Sequence, residues 1–284
     1  MKLLRFGDVG AERPGILDAQ GRLRDVSHYV KDWNGAALVA SELDKVRALD
    51  LETFPLVEGS PRIGPCVGQV GKLICTGLNY ADHAAESNMD LPTEPLLFMK
   101  ATSAICGAYD DIQRPIGSTK LDWEVELAIV IGGEARNVSE EQALDKVAGY
   151  CVINDVTDRG FQLERGGQWM KGKSADTFAP LGPWLVTADE VGIPNNLKMW
   201  LDVDDVRRQD GSTKTMVFSV AKIVSYISQF MTLQPGDVIA TGTPPGVGMG
   251  IKPTPIYLED GQVLRTGIEG LGEQKQRVLP AKTA

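Results

Sequence analysis

The chain has 284 residues, 43% of them hydrophobic and 24% charged, with a formal net charge of −9. These proportions are those of a soluble globular chain long enough for a substantial core. The acidic balance argues against general binding to nucleic acid or to anionic membrane, while leaving room for a locally basic pocket.

The start, Met1-Lys2-Leu3-Leu4-Arg5-Phe6-Gly7-Asp8, has no apolar core of signal-peptide length. No run approaches the ~18 apolar residues of a membrane span, so a cytoplasmic protein is expected. Residues 1–65 read as a small N-terminal domain and 66–284 as the main domain. Strands are predicted at Lys2–Phe6 and within Gly15–Val26, with a hairpin turn at Asp18–Gly21. A helix is predicted over Gly35–Leu49, followed by a connector punctuated by Pro55, Gly59, Pro61, Gly64 and Pro65. His28, one of two histidines, has no acid or Cys partner at ligand spacing and is assigned no chemistry.

From Lys72 onward strand-like runs recur at Leu73–Thr76, Leu96–Met99, Trp123–Ile131, Val147–Ile153, Trp184–Val186, Lys198–Val203 and Val238–Thr241. Helical patterns are fewer: Tyr80–Asn88, Ser139–Lys146 with Ser139 as its cap, and Val220–Met231. The fold class is therefore α+β and β-rich, not a doubly wound α/β sheet. Cys66, Cys75, Cys106 and Cys151 show no zinc spacing and read as buried thiols in a reducing compartment.

Within Leu121–Ile131 the side chains of Glu124 and Glu126 fall on one face of a strand, roughly 7 Å apart. Two buried, unpaired carboxylates would cost several kcal/mol each, a cost that a hard divalent cation removes. The alternative is an edge strand whose acids face water. Asp155 ends the apolar run Gly149–Val156, where a buried strand meets its loop. With the two glutamates it makes a three-carboxylate set suited to Mg²⁺, Mn²⁺ or Ca²⁺ rather than Zn²⁺.

Three further stretches bear on chemistry. His83 and Glu86 stand three apart on the predicted helix, so a carboxylate can orient an imidazole as a water-activating base; a chance surface pair has the same spacing. Arg159, Arg165, Lys171 and Lys173 make residues 159–173 the most basic stretch of an acidic chain, with Gln162 and Gln168 interspersed. Cations there suit a carboxylate substrate and a developing enolate, or else form a solvated loop. Leu233–Gly248 runs from a strand into a Gly/Pro-rich loop able to present backbone N–H groups and the Thr243 hydroxyl to an anion. It is neither a P-loop nor a dinucleotide fingerprint.

Together, Cys75–His83, Leu121–Glu126, Asn154-Asp155-Val156, Gly172–Pro180 and Pro235–Gly248 make the chain resemble the fumarylacetoacetate hydrolase family over about Lys72 to Val278. The resemblance implies a mixed-sheet, roll- or barrel-like catalytic domain around Mg²⁺ or Mn²⁺, with Glu124, Glu126 and Asp155 as ligands. It implies His83 and Glu86 as the water-activating dyad and Lys173 as a further catalytic group. It also implies substrate contacts from Arg159, Gln162, Lys173, Gly242, Thr243 and Tyr80, and a homodimer, with a tetramer as the alternative. Cys75–Tyr80 contains no acid, unlike members that add a fourth carboxylate ligand there.

Phe161–Trp169, Gln209–Phe218 and Gly267–Gly272 look like the bacterial 2,4-diketo-3-deoxy-L-rhamnonate and L-fuconate hydrolases of non-phosphorylated L-rhamnose and L-fucose breakdown. The turn Asp202–Arg207 departs from the Asn-Gly turn of such relatives. That branch implies a small anionic diketo acid cleaved at C3–C4 to pyruvate and lactate. Oxaloacetate decarboxylation and acylpyruvate hydrolysis are the alternatives within the family. A metal-dependent phosphoesterase and a non-catalytic metal-stabilised binding protein are the alternatives outside it.

Overall fold

In this computed structural model residues 1–82 and 91–282 are described. The strands in chain order are β1 (Lys2–Phe6), β2 (Arg13–Leu17), β3 (Leu23–Asp25), β4 (Leu73–Gly77), β5 (Leu96–Lys100), β6 (Ile105–Cys106), β7 (Ile112–Gln113), β8 (Leu121–Asp122) and β9 (Val125–Ile131). They continue as β10 (Val147–Asn154), β11 (Thr157–Asp158), β12 (Ala179–Pro180), β13 (Leu185–Thr187), β14 (Lys198–Val203), β15 (Val206–Ser212), β16 (Val238–Ala240), β17 (Val263–Ile268) and β18 (Gly272–Leu279). Nine of them form one sheet in the order β3-β2-β1-β13-β10-β9-β16-β4-β5. Five form a second, β15-β14-β17-β18-β7, that packs across β9 and β10. The β4–β16 pair is parallel and the β9–β10 pair antiparallel, so this is a β-rich α+β fold on mixed sheets.

The centre of the large sheet explains the longest apolar runs of the sequence. Every residue of β9 and of β10 is buried. A strand covered on both faces shows no alternation, because neither face meets water. The first three strands continue the same sheet, since β1 pairs with β13.

Several predicted elements are shorter or broken. The expected helix over Gly35–Leu49 is a 3₁₀ turn, Gly35–Leu38, and an α-helix, Ala40–Arg47, separated by the extended Val39. The strand expected through Leu121–Ile131 breaks at Trp123-Glu124. There the side chains of Asp122 and Asn154 accept the Trp123 and Glu124 amides in place of a ladder. The Ser139 cap is present as a full capping box with Gln142. The helix expected over Tyr80–Asn88 lies mostly outside the described residues.

The hairpin of β17 and β18 is not predicted by the pattern, for a physical reason. The core-facing positions of β18 include Gln274 and Gln276. Gln274 Nε2 donates to the carbonyls of Val152, Pro180 and Gly182 at 2.9–3.0 Å. A polar side chain thus ties the two sheets where hydropathy predicts a solvent-facing residue.

Gly149 shows how tightly the N-terminal strands are joined to the centre. A methyl group there would stand 2.1 Å from Val186 O across the β10–β13 pair. Gly149→Ala should lower stability to urea by about 1–3 kcal/mol. An unchanged denaturation midpoint would show that this junction spreads without penalty.

Candidate active site

The adjoining ends of two paired strands build the site. Glu126 lies in β9, Glu124 stands just before that strand, and Asp155 follows β10 directly, its amide donating to Glu124 O at 2.9 Å. Glu124 is 6% exposed, Glu126 2% and Asp155 0%, so these acids do not face water. One carboxylate oxygen from each lies within 4.8 Å of the others.

Cations stand around them. Lys173 Nζ donates to Glu124 Oε2 at 2.6 Å and to Asp155 Oδ2 at 2.7 Å, and lies 5.2 Å from the centre of the Phe98 ring. Arg159 Nη2 stands 2.6 Å from Glu124 Oε1, and its Nε donates to Asp122 Oδ2 at 2.8 Å. Lys100, fully buried at the end of β5, pairs with Asp155 Oδ1 and donates to Val156 O at 3.0 Å. With Asp122 included, four buried acids meet three buried cations.

This arrangement splits the acids. Burial works against ionising Glu124, but Lys173 and Arg159 outweigh it and hold the carboxyl at about 2. Burial, then Asp155 and Glu124, push the Glu126 carboxyl well above its ordinary range; Lys173 and the Gly242 amide only partly oppose this. For Lys173, burial favours the neutral amine, yet Asp155 and Glu124 prevail and keep the ammonium charged. A carboxyl raised by burial and further by neighbouring acids is the mark of a cluster short of positive charge.

The donor set therefore fits a hard divalent cation: three carboxylates, no sulfur or imidazole among them, and a charge deficit that the ion offsets. Glu124, Glu126 and Asp155 would hold it.

Above the acids lies a cavity of about 130 Å³. Glu124, Glu126, Lys173, Arg159 and Gln162 line one side, and Phe98, Leu78, Leu163, Trp169 and Met249 supply an apolar wall. Phe98 and Trp169 pack edge to face at 5.3 Å. The sequence-predicted residues thus divide. Lys173, Arg159 and Gln162 come together at the cavity, with Arg159 Nη1 donating to Gln162 Oε1 at 3.1 Å.

Gly242 and Thr243 also line it, but much of their hydrogen-bonding capacity is already used. The Gly242 amide donates to Glu126 Oε2 at 2.7 Å, from a backbone at φ +93°. The Thr243 hydroxyl donates to Val125 O at 2.9 Å and accepts from Gln209 Nε2 at 2.8 Å.

Tyr80 is not brought to the cavity: its buried hydroxyl donates to Met199 Sδ at 3.1 Å. His83 and Glu86 lie outside the described residues. Asn79, just before them, is anchored: its side chain donates to Thr241 O at 2.8 Å and accepts from Phe218 N at 2.7 Å.

Two groups escape sequence reasoning. Lys100 follows four apolar strand residues and reads as a strand-terminating surface lysine. Asp122 sits at an alternating position like many solvated acids. What betrays Lys100 in retrospect is a cation at the buried end of an apolar run, where only a paired charge is tolerated.

Buried carboxylates and cations beside one small cavity form an enzyme-like site whose acids could hold a metal ion. The chain belongs to the fumarylacetoacetate hydrolase family, whose profile for the fumarylacetoacetate (FAA) hydrolase C-terminal domain matches residues 72–279. It is 62% identical to a Burkholderia multivorans protein named only as a hydrolase, over 99% of this chain and 100% of that one. Fumarylacetoacetate hydrolase from Exiguobacterium antarcticum superposes with a TM-score of 0.85 at 40% identity, covering 99% of this chain and 100% of that chain. Maleylpyruvate hydrolase from Sphingobium sp. SYK-6, solved with manganese(II) and pyruvate, gives 0.83 at 29% identity with the same coverages.

The raised Glu126 carboxyl sets a pH dependence. In metal-stripped protein its contribution to stability is full below the ordinary carboxylate range and is lost as pH rises through the raised value. A divalent cation held there displaces the proton, so affinity for Mn²⁺ should rise with pH above the ordinary carboxylate range, with net proton release. Calorimetry in buffers of different ionisation enthalpy measures both. A flat profile with no proton released would show that Glu126 is already ionised before the cation arrives.

Proposed function

We propose that the protein is a divalent-metal-dependent hydrolase that cleaves the C3–C4 bond of a 2,4-diketo-3-deoxy sugar acid, of the L-rhamnonate or L-fuconate type, to pyruvate and lactate. The observation that carries this reading is Lys173 and Arg159, buried and charged, beside three carboxylates at the foot of one cavity. Hydrolysis to a 2-oxo acid needs that combination: a seat for a metal ion and fixed positive charge where an enolate develops. The maleylpyruvate hydrolase neighbour, with manganese(II) and pyruvate, supports the product class. The sugar-acid branch rests on the likeness of Phe161–Trp169, Gln209–Phe218 and Gly267–Gly272.

A divalent cation, Mg²⁺ or Mn²⁺, held by Glu124, Glu126 and Asp155 would supply Lewis-acid stabilisation of negative charge on oxygen. Arg159 and Gln162 orient the substrate carboxylate, Arg159 by charge and Gln162 by hydrogen bonding. His83, oriented by Glu86, takes a proton from the attacking water as it adds to C4. The C3–C4 bond breaks, its electron pair passes to C3, and Lys173 stabilises the enolate charge that results. The proton taken up by His83 passes to C3 to give pyruvate, and the C4 fragment, now carrying the water oxygen, leaves as lactate. The apolar wall of Phe98, Trp169, Leu163 and Met249 keeps bulk water from the reacting carbons, which strengthens each charge interaction.

Metal-stripped enzyme offered 2,4-diketo-3-deoxy-L-rhamnonate, its L-fuconate counterpart, acetylpyruvate and oxaloacetate, with and without Mg²⁺ or Mn²⁺, tests the reading. Metal-dependent release of pyruvate with lactate from one sugar acid is the expected result. Release from oxaloacetate alone would replace hydrolysis by decarboxylation, and release from acetylpyruvate alone would move the substrate to simple acylpyruvates. Lys173→Met should lower kcat by about a hundredfold or more while Mn²⁺ affinity stays close to wild type. Loss of the metal in that variant would make Lys173 a structural counter-ion instead.

A further inference from the structure

Asp122 takes no part in the chemistry above, yet it is fully buried between the carboxylate cluster and the Gly/Pro loop. Its Oδ1 accepts from Trp123 N at 2.8 Å and Gly248 N at 2.7 Å. Its Oδ2 accepts from Met249 N at 3.0 Å and Arg159 Nε at 2.8 Å. Four donors fill the four lone-pair sites of an ionised carboxylate, which leaves it no capacity for a metal ion or a ligand.

The consequence falls on Arg159. A guanidinium beside a carboxylate prefers the two-pronged, fork-to-fork pairing. Arg159 does not adopt it with Glu124: Nε is held by Asp122, Nη1 reaches Gln162, and Nη2 alone approaches Glu124. That Nη2 is buried yet makes no well-aligned hydrogen bond. Arg159 lines the cavity, so a guanidinium with two of its five N–H groups left over after these single contacts stands at its wall.

The backbone on the other side is equally constrained. A Cβ at Gly248 would stand 2.0 Å from Ile256 O, so the turn that carries Met249 is closely packed where Asp122 grips it.

We propose that Asp122 is a positioning residue for anion recognition. By holding Arg159 through Nε it prevents bidentate capture of the guanidinium by Glu124 and turns the remaining N–H groups to an anionic ligand. The Gly248 and Met249 amides in turn hold the Asp122 carboxylate in the position from which it does so. The inference rests on the reading of this cavity as a 2-oxo-acid site.

The test measures binding of pyruvate to Mn²⁺-loaded protein by calorimetry, for wild type, Asp122→Asn, Arg159→Lys and the double variant. Asp122→Asn puts an amide where two donors converge, and should weaken pyruvate about tenfold or more. In the Arg159→Lys background the same substitution should change pyruvate affinity less than twofold, because the two residues act as one unit. If Asp122→Asn does not fold, Asp122→Ser, which keeps one oxygen for the Gly248 amide, carries the same expectations. Unchanged pyruvate affinity in a folded Asp122 variant, or an equal loss in both backgrounds, overturns the proposal. Failure of the wild type to bind pyruvate at all overturns the 2-oxo-acid reading itself, and the role of Asp122 with it.

Discussion

The fold is arranged around one electrostatic problem: placing several carboxylates in the interior of a sheet that excludes water. Isolated, each would cost several kcal/mol of desolvation. The solution is interleaving. Lys173 bridges Glu124 and Asp155, Lys100 takes the other oxygen of Asp155, and Arg159 stands between Glu124 and Asp122. The cations come from elements far apart in the chain, so the cluster forms only when β5, β9, β10 and the 159–173 segment are all in place. The same contacts that make the acids tolerable thereby fix their geometry.

The balance is deliberately incomplete. Glu124 is held ionised by its two cations, whereas Glu126 is buried beside two acids and only partly eased by Lys173 and the Gly242 amide. A cluster neutralised within itself would have no use for a ligand. One that lacks positive charge, beside a cavity walled by Phe98, Trp169 and Met249, retains an attraction for a cation and, once a cation is present, for an anion.

Much of this was legible in the sequence. The Glu-x-Glu spacing, the Asp at the end of the next apolar run and the basic segment after it locate three acids and two of the three cations. The sequence also announces the β-rich class through repeated short apolar runs. What it hides follows one rule: polar groups buried by partners look like surface. Gln274 and Gln276 mask β18, Lys100 passes for a strand terminator, and Asp122 passes for an ordinary exposed acid. Tyr80 errs the other way. Its hydroxyl suggests a ligand contact, but it donates its hydrogen bond to the Met199 sulfur of β14. Hydropathy reports the cost of transfer to an apolar medium and is blind to the partner that cancels it.

The seat of the carboxylates has a final consequence. Glu126 belongs to a strand hydrogen-bonded on both sides, to β10 and to β16, and Asp155 follows the neighbouring strand without an intervening loop. Strands in the middle of a nine-stranded sheet do not breathe apart to suit a guest. Sites that wrap an ion with flexible loops accept large cations by adding oxygens, whereas ligands set in such a frame select by ionic radius. Ions bonding at about 2.0–2.1 Å and those needing about 2.3–2.6 Å cannot be served equally by one fixed spacing. For a cation held by these three carboxylates, the sheet itself would act as the gauge.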